Sequence, residues 1–154
     1  MEDIFSGVEP MVLKSGINVP YSWWAGDTAS KFFRSLRDDR QIVGTKCGKC
    51  NKVFVPPRKT CPGCFIKNDE WVTVSEQGTL ISYTVARRQL ATLPMKAPVI
   101  FGLIKLDKAD TSLLHILGEA DPDSLTIGMQ VKAVFSAERK GGIRDIIYFK
   151  PISK

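Results

Sequence analysis

Two short stretches, Cys47-Gly48-Lys49-Cys50 and Cys61-Pro62-Gly63-Cys64, contain all four cysteines of the chain. A Cys-x-x-Cys turn brings two thiolates to one side of the backbone, and two such turns facing each other complete the tetrahedral site of a divalent ion. Gly48 and Gly63 are expected to take the positive φ that so tight a turn needs. The pattern predicts a metal-binding ribbon whose ligands are Cys47, Cys50, Cys61 and Cys64.

One structural zinc ion is the metal that we expect. Rubredoxin-type iron is the alternative, because Cys61-Pro62-Gly63-Cys64 resembles a rubredoxin turn. The connector over residues 51–60 is short for a ribbon and is expected to form a hairpin with Pro56-Pro57 near its tip. The short connector and the surrounding lysines favour zinc. Four thiolates leave no open position for water or substrate, so the role of the ion should be structural.

The net charge of +6 is concentrated around the cysteines. Residues 1–40 carry five bases against six acids, residues 41–70 carry six against two, and residues 71–154 carry eleven against eight. Four thiolates around a divalent ion leave a local charge of about −2, which nearby bases can offset. These bases are Lys46, Lys49, Lys52, Arg58 and Lys59. Phosphate binding by the same side chains is the alternative.

The length and the use of cysteine limit the class of protein. A chain of 154 residues, 44% of them hydrophobic, can bury one moderate core, so we expect one domain with a metal-held appendage. Paired Cys-x-x-Cys turns without an apolar signal segment favour a cytoplasmic protein over a secreted, disulfide-linked one. The longest apolar run, residues 99–104, is too short to span a bilayer, and no membrane association is expected.

The first forty residues predict an arm and a helix. Residues 1–20 show no sustained period and indicate an extended arm. Asp27 or Thr28 is expected to cap a helix that ends near Asp39 and carries one apolar face. This face either covers the protein's own core or docks a partner protein. The candidate docking residues are Trp23, Trp24, Phe32 and Phe33.

The second half of the chain predicts a small β-barrel. The predicted strands lie at 71–75, 79–87, 98–106, 112–118, 129–136 and 144–150. We expect the first two to form one long strand that bends at Gly78, which leaves five strands in the order of a Greek-key OB-fold barrel. A sandwich is the structural alternative. The predicted architecture is mainly β: arm and amphipathic helix over 1–40, zinc ribbon over 41–70 and OB-fold barrel over 71–154.

Several motifs together resemble one known family. They are Trp24-Ala25-Gly26, Ser30-Lys31-Phe32-Phe33-x-x-Leu36, Gly44-Thr45-Lys46-Cys47-x-x-Cys50, Val55-Pro56-Pro57-Arg58-x-x-Cys61-Pro62-x-Cys64, Gly78-Thr79-Leu80-Ile81-Ser82-Tyr83-Thr84, Ile127-Gly128-Met129-x-Val131 and Phe149-x-Pro151. From about residue 21 onward the chain resembles the archaeal and bacterial proteins that join a rubredoxin-like zinc ribbon to an OB-fold. These acyl-CoA-associated proteins were long known as a domain of unknown function.

The resemblance implies a non-catalytic subunit that binds acyl-CoA and associates with a thiolase-type enzyme. Similar archaeal proteins are thought to bridge acetoacetyl-CoA thiolase to the next condensing enzyme of the mevalonate route. The residues themselves also argue against catalysis, because the chain lacks the common nucleophile, phosphate-loop and dinucleotide motifs. Its single histidine, His115, is expected to be a hydrogen-bonded barrel residue without a catalytic nucleophile beside it.

Two functional classes follow from the sequence. An acyl-CoA-binding scaffold needs bases for the phosphates of coenzyme A and an apolar channel for its pantetheine arm. The candidate phosphate ligands are Arg87, Arg88, Lys96, Arg139, Lys140 and Arg144. A single-stranded nucleic-acid binder is the alternative, and it would need exposed aromatic side chains interleaved with bases. Most barrel aromatics fall at positions where burial is expected, which favours the scaffold.

Overall fold

The computed structural model of the protein describes residues 7–9, 11–12, 16, 19–89 and 95–152. Much of the predicted arm over residues 1–20 lies outside these ranges. The described chain is mainly β, with one N-terminal helix, a small three-stranded sheet and a closed five-stranded barrel. The predicted fold class is therefore confirmed.

The N-terminal helix, α1, spans Gly26–Arg34 and continues as a π-helical turn over Ser35–Asp39. The predicted cap at Asp27 or Thr28 is wrong, because Ala25 occupies the cap position and no side chain accepts a hydrogen bond from the first turn. Asp27 instead lies inside that turn, where its negative charge interacts favourably with the positive end of the helix dipole.

The small sheet combines strands from both sides of the cysteine region. Its strands are β1 (Val43–Lys46), β2 (Val53–Phe54) and β3 (Glu70–Thr73), all antiparallel in the order β2-β1-β3. We expected residues 71–75 to begin the first barrel strand, and this is wrong. Thr45 pairs with Trp71 across the sheet, so β3 completes the ribbon instead. The alternating pattern of a short strand does not reveal which sheet the strand joins.

The barrel uses the remaining five strands. They are β4 (Gln77–Ala86), β5 (Val99–Leu106), β6 (Leu113–Leu117), β7 (Gln130–Phe135) and β8 (Ile146–Pro151). The strands close in the order β4-β5-β6-β8-β7, with β7 paired back to β4. The pairing between β6 and β8 is parallel, and the other pairings are antiparallel. The ends of each barrel strand lie within two residues of the predicted ends. The difference is that the predicted segment 71–75 is not joined to the first barrel strand.

The long strand β4 bends where its pairing with β5 shifts register between Leu80 and Ser82. The predicted bend at Gly78 is therefore misplaced. Gly78 serves a different purpose, because a Cβ there would lie 2.4 Å from the carbonyl oxygen of Lys105. The glycine allows β5 to approach, and the bulge gives β4 the curvature that a small barrel requires.

Helix, ribbon and barrel share one hydrophobic core. Phe32 and Leu36 from the helical segment and Val55 from the ribbon belong to the same buried cluster as the barrel interior. Two hydrogen bonds between the ribbon and the barrel reinforce this packing. The Val53 N–H donates to Oδ2 of Asp110 at 2.8 Å, and the Asp110 N–H donates to the Val53 carbonyl at 2.9 Å. The ribbon is thus held against the turn between β5 and β6.

Candidate metal centre and ligand groove

The four cysteine sulfurs converge at the distal end of the ribbon. All four Sγ atoms lie within 4.8 Å of one another, and those of Cys50 and Cys61 are 3.8 Å apart. Tetrahedral zinc–thiolate bonds of the usual length place sulfurs about 3.8 Å apart. Cys47 and Cys61 are buried with Phe54 in a small cluster of their own, whereas Cys50 and Cys64 lie nearer the surface. The donor set and its spacing fit one structural zinc ion.

Two similar turns position these sulfurs. The N–H of Asn51 donates to the carbonyl of Cys47 at 2.9 Å, and the N–H of Phe65 donates to that of Cys61 at 2.9 Å. Asn51 and Phe65 take the positive φ, at 60° and 56°. The expectation that Gly48 and Gly63 would do so is wrong. The left-handed residue follows the second cysteine of each pair, because the chain reverses after that ligand.

The thiol groups are not equivalent. A hydrogen bond from the backbone N–H of Cys50 lowers the pKa of Cys47 to about 6. Burial, together with hydrogen bonds that the Cys64 thiol donates to the neighbouring sulfurs, raises the pKa of Cys64 to about 12. Four sulfurs so close together carry four negative charges only when a cation lies between them. The residues therefore need the metal that their geometry fits.

The bases of the ribbon are partly used within the protein. The Lys46 ammonium lies 3.3 Å from the carboxylate of Glu70, and the Arg58 guanidinium lies over the Phe54 ring, 5.8 Å from its centroid. Lys49, Lys52 and Lys59 are exposed. Their charges lie on the same module as the four thiolates, which is the arrangement that charge compensation predicts.

A groove of about 360 Å³ lies on the outer face of the barrel. It is lined by outward side chains of β5 and β6 and by the start of β8: Phe101, Leu114, Ile116 and Ile147, with Met95, His115, Ile143, Arg144 and Ile146 completing the wall. In OB-folds this face, formed by the second and third strands, is the usual ligand surface. Leu114 is 63% exposed, and Met95, Ile143 and Ile147 around it are 38–41% exposed, so the groove presents a patch of large apolar side chains.

The predicted phosphate ligands lie on the two connections that flank this face. Arg87 and Arg88 follow β4 and Lys96 precedes β5, whereas the other three belong to the connection between β7 and β8. Of the six, Arg144 lines the groove itself. Arg139 is occupied, since its Nε donates to the carbonyl of Arg37 at 2.8 Å. Lys140 shares a shallow depression with Arg144 and Glu138.

Asp145 organises the connection between β7 and β8, and the sequence analysis missed it. Its carboxylate is buried and accepts hydrogen bonds from the backbone N–H groups of Lys140 and Gly141, both at 2.8 Å, and of Gly142 at 3.3 Å. A buried carboxylate that accepts three backbone bonds fixes the loop on which Arg144 and Ile143 stand. The Gly-Gly pair near a lone aspartate was the available signal.

A second apolar groove, of about 410 Å³, lies between α1 and the barrel. Its lining comes from all three modules: Ala29, Phe32 and Phe33 from the helix, Pro56 and Pro57 from the ribbon connector, and Leu113, Leu114 and Ile143 from the barrel side. Neither groove was predicted from the sequence. The continuous apolar run Leu113–Leu117, interrupted only by His115, was the signal that both faces of β6 are apolar.

The four candidate docking residues fall into two groups. Phe32 is 2% exposed and belongs to the core, and Phe33 is half-buried against it. Trp23 and Trp24 are 74% and 76% exposed. The structure thus uses the helix face to cover the core and leaves the two tryptophans before the helix accessible.

His115 lies in the wall of the first groove as a buried, hydrogen-bonded side chain. Its Nδ1 accepts from the N–H of Ile116 at 2.9 Å, so Nε2 carries the hydrogen that reaches the Ile143 carbonyl at 3.3 Å. Burial lowers the pKa of His115 and keeps the ring neutral. The ring packs edge-on against Phe149. These contacts describe a structural barrel histidine.

Family models match the two β modules separately. The model described as "ChsH2, rubredoxin-like zinc ribbon domain" covers residues 34–70, and "ChsH2, C-terminal OB-fold domain" covers residues 71–136. A DUF35 domain-containing scaffold protein from Methanothermobacter thermautotrophicus is 30% identical over 76% of this chain and 88% of the relative. The chain belongs to the DUF35 family. The family resemblance and the zinc ribbon predicted from the cysteine motifs are thereby confirmed.

A second scaffold protein and a longer enzyme subunit are also similar to this DUF35 protein. A DUF35 domain-containing scaffold protein from Methanocaldococcus jannaschii is 29% identical over 78% of this chain and 88% of the relative. A probable enoyl-CoA hydratase alpha subunit from Thermomonospora curvata is 29% identical over 65% of this chain, which corresponds to 31% of that subunit. This chain is therefore similar to one part of that longer subunit.

Solved structures support the fold of the DUF35 chain. A DUF35-family protein of unknown function from Sulfolobus solfataricus is 28% identical and superimposes with a TM-score of 0.58 over 71% of this chain and 78% of that one. The structure titled "Ltp2-ChsH2(DUF35) aldolase" matches with a TM-score of 0.63 and 24% identity over 84% of this chain and 98% of that one. At 24% identity, the similarity to the aldolase structure supports the fold alone.

Among the described residues, no helix is long and apolar enough to cross a membrane.

Proposed function

We propose that this DUF35 protein is a non-catalytic scaffold that binds an acyl-CoA on the outer face of its barrel and associates with a thiolase-type enzyme. The observation that carries the proposal is the apolar groove on the β5–β6 face, with bases on both flanking connections. Ligand pockets for small molecules are mostly apolar and contain a few polar groups that orient the ligand. A thioester of coenzyme A has this division, with phosphates at one end and an apolar group at the other.

The charges around the groove support a phosphate-bearing ligand. Arg144 lines the groove, and its place is fixed by the loop that Asp145 holds. Lys140 lies in the adjoining depression, and Lys96 follows Met95 of the groove wall. Guanidinium and ammonium groups bind phosphate through charge-assisted hydrogen bonds. Arg144 is therefore the base that we expect to contribute most, and Arg139 the one that contributes least because it is already bonded.

The scaffold role is supported by the names of the two archaeal relatives, each of which is called a scaffold protein. A relative named as an enoyl-CoA hydratase subunit supports an association with the chemistry of CoA thioesters. Trp23 and Trp24 offer exposed aromatic anchors for a partner enzyme. The protein is proposed to act in the cytoplasm, where a thiolase-type partner would be found.

Single-stranded nucleic acid is less well supported as a ligand. The β5–β6 face presents aliphatic side chains, such as Leu103, Leu114 and Ile116, where a nucleic-acid binder needs aromatic platforms for base stacking. Phe101 is the aromatic residue of the groove wall, and Phe149 is fully buried. Trp71, which the sequence analysis counted with the barrel, lies in the ribbon sheet under the Lys31 ammonium.

Calorimetric titration with acetyl-CoA tests the ligand. Arg144→Ala is expected to weaken binding by about ten- to a hundredfold, because a hydrogen bond to a charged group contributes about 1.5–3 kcal/mol. Lys132→Ala on β7 is the matched control, since it removes a charge from a strand outside the groove, and it should leave the affinity unchanged. Failure of the wild type to bind acetyl-CoA and longer acyl-CoA thioesters would exclude the acyl-CoA ligand.

Mild purification from the native host tests the partner. Recovery of a thiolase-type enzyme with the protein would support the scaffold. Recovery of nucleic acid, lost steeply as salt rises, would instead favour the alternative.

A further inference from the structure

The two apolar grooves adjoin each other. Leu114 and Ile143 line both of them, so the first groove on the barrel face leads directly to the second groove beneath α1. The shallow depression with Lys140 also adjoins the first groove, through Ile143 and Arg144. Arg144 joins the depression, which also contains Glu138, to the first groove, and Leu114 joins the first groove to the second. Ile143 borders all three.

We propose that the second groove receives the acyl chain of a CoA thioester, and that the preferred substrate carries an aliphatic acyl group of medium or greater length. This inference rests on the proposed function and makes it more specific. The phosphates of the ligand would lie towards Arg144, its pantetheine arm in the first groove and its acyl chain between the helix and the ribbon connector.

The chemistry of the second groove supports an apolar chain. None of the side chains that line it is charged, and Phe33, Pro56 and Pro57 form walls without a hydrogen-bond donor in their side chains. A two-carbon acyl group would end near Leu114 and leave the space beside Ala29 unfilled. A longer chain would cover the exposed surface of Leu114 and Ile143, which the protein alone leaves open to water.

The position of the groove supports a ligand rather than a protein partner as its occupant. The groove continues a surface that already ends in bases, and a CoA thioester is charged at one end and apolar at the other. One wall of the second groove is formed by α1. Because Phe32 of this helix is buried in the core, the wall is rigid. A rigid apolar wall at a fixed distance from the phosphate site would measure the length of an acyl chain.

The affinities for acetyl-, hexanoyl- and decanoyl-CoA test this inference. Complete burial of a methylene strengthens binding about fourfold, and in an open groove we expect about twofold per methylene. The wild type should therefore bind decanoyl-CoA more than a hundredfold more tightly than acetyl-CoA. Ala29→Trp, which fills the second groove, should abolish this gain.

Ala25→Trp is the matched control, because Ala25 is exposed just before the helix and lines neither groove. It should bind all three thioesters like the wild type. Zinc content and thermal unfolding establish that each variant is folded. If Ala29→Trp is unfolded, Ala29→Leu takes its place and should reduce the chain-length gain at least tenfold.

The outcomes separate the two proposals. If the wild type binds none of the thioesters, the proposed function fails. If it binds all three equally, or if Ala29→Trp keeps the chain-length gain, the acyl chain lies elsewhere and this inference is overturned while the proposed function stands. If Ala29→Trp prevents association with the thiolase-type enzyme and leaves the chain-length gain intact, the groove is a protein contact and the inference is likewise overturned.

Discussion

At Gly78 the backbone of β5 approaches β4 so closely that a side chain cannot be placed there. A Cβ would lie 2.4 Å from the Lys105 carbonyl oxygen and 2.7 Å from the Cα of Leu106. Gly63 in the second cysteine turn is the opposite case, because a Cβ there would meet nothing within 4 Å and its φ is not positive. The barrel backbone thus requires glycine at position 78, whereas the cysteine turn has room for a side chain at position 63.

Alanine substitution is expected to separate these two glycines. Gly78→Ala should lower the free energy of unfolding by about 2–3 kcal/mol, because the barrel backbone must move to admit the methyl group. Gly63→Ala should raise it by about 0.5 kcal/mol, because alanine has less conformational freedom in the unfolded chain. Denaturant unfolding with zinc present measures both. Equal effects of the two substitutions would contradict this account.

At the scale of elements, α1 and the segment that precedes it use their aromatic residues in different ways. The helix places Phe32 in the shared core and Phe33 against it, whereas the segment before the helix leaves Trp23 and Trp24 exposed. An aromatic cluster in the sequence does not reveal this division. Burial is decided by the angle at which the helix meets the barrel, and that angle depends on residues far along the chain.

Serine substitutions in α1 and in the segment before it are expected to affect different properties, stability in the first case and association in the second. Phe32→Ser should destabilise the protein by about 3–4 kcal/mol, because it leaves a cavity in the core. Trp24→Ser should change stability by less than about 0.5 kcal/mol but weaken the proposed association with a thiolase-type enzyme. Thermal unfolding and co-purification measure the two effects. Undiminished co-purification of a variant with both Trp23 and Trp24 replaced by serine would end the docking proposal.

At the scale of the whole molecule, the ribbon is attached in two ways. Its proximal part contributes Ile42, Val43 and Val55 to the shared core, and Val55 exchanges hydrogen bonds with the Thr111 hydroxyl at 2.7 and 3.0 Å. Its distal part holds the four cysteines in a separate small cluster. Zinc therefore stabilises the distal part directly and the contact with the barrel indirectly.

Loss of the metal is expected to divide the molecule along this line. Cys61→Ser should release the single zinc equivalent and remove amide exchange protection from the distal ribbon, because the small cluster cannot order itself without the ion. Strands β4 to β8 should keep their protection. Metal analysis and hydrogen exchange measure these effects. If the purified wild-type protein is red, with iron–thiolate absorption, the assignment of zinc is wrong. Loss of protection throughout the barrel would show that the core is not independent of the metal.

The candidate site was predictable in part. The bases on the loops, such as Arg144, were found because turn signals place them at strand ends. The grooves were not found, because Leu114 and Ile143 are separated along the chain and become neighbours only when β6 pairs with β8. Asp145 was missed for a related reason, since a buried carboxylate in a loop looks the same in sequence as a solvated one.

The sequence by itself determined the metal ligands, the helix and the barrel strands, because ligand spacing and hydrophobic periodicity are local properties of the chain. Only the tertiary structure decided that Glu70–Thr73 joins the ribbon and that the apolar face of β6 remains open beside α1. These features depend on which surfaces meet. A run such as Leu113–Leu117 is apolar on both faces, and closure of the barrel determines which side chains are buried and which line a groove.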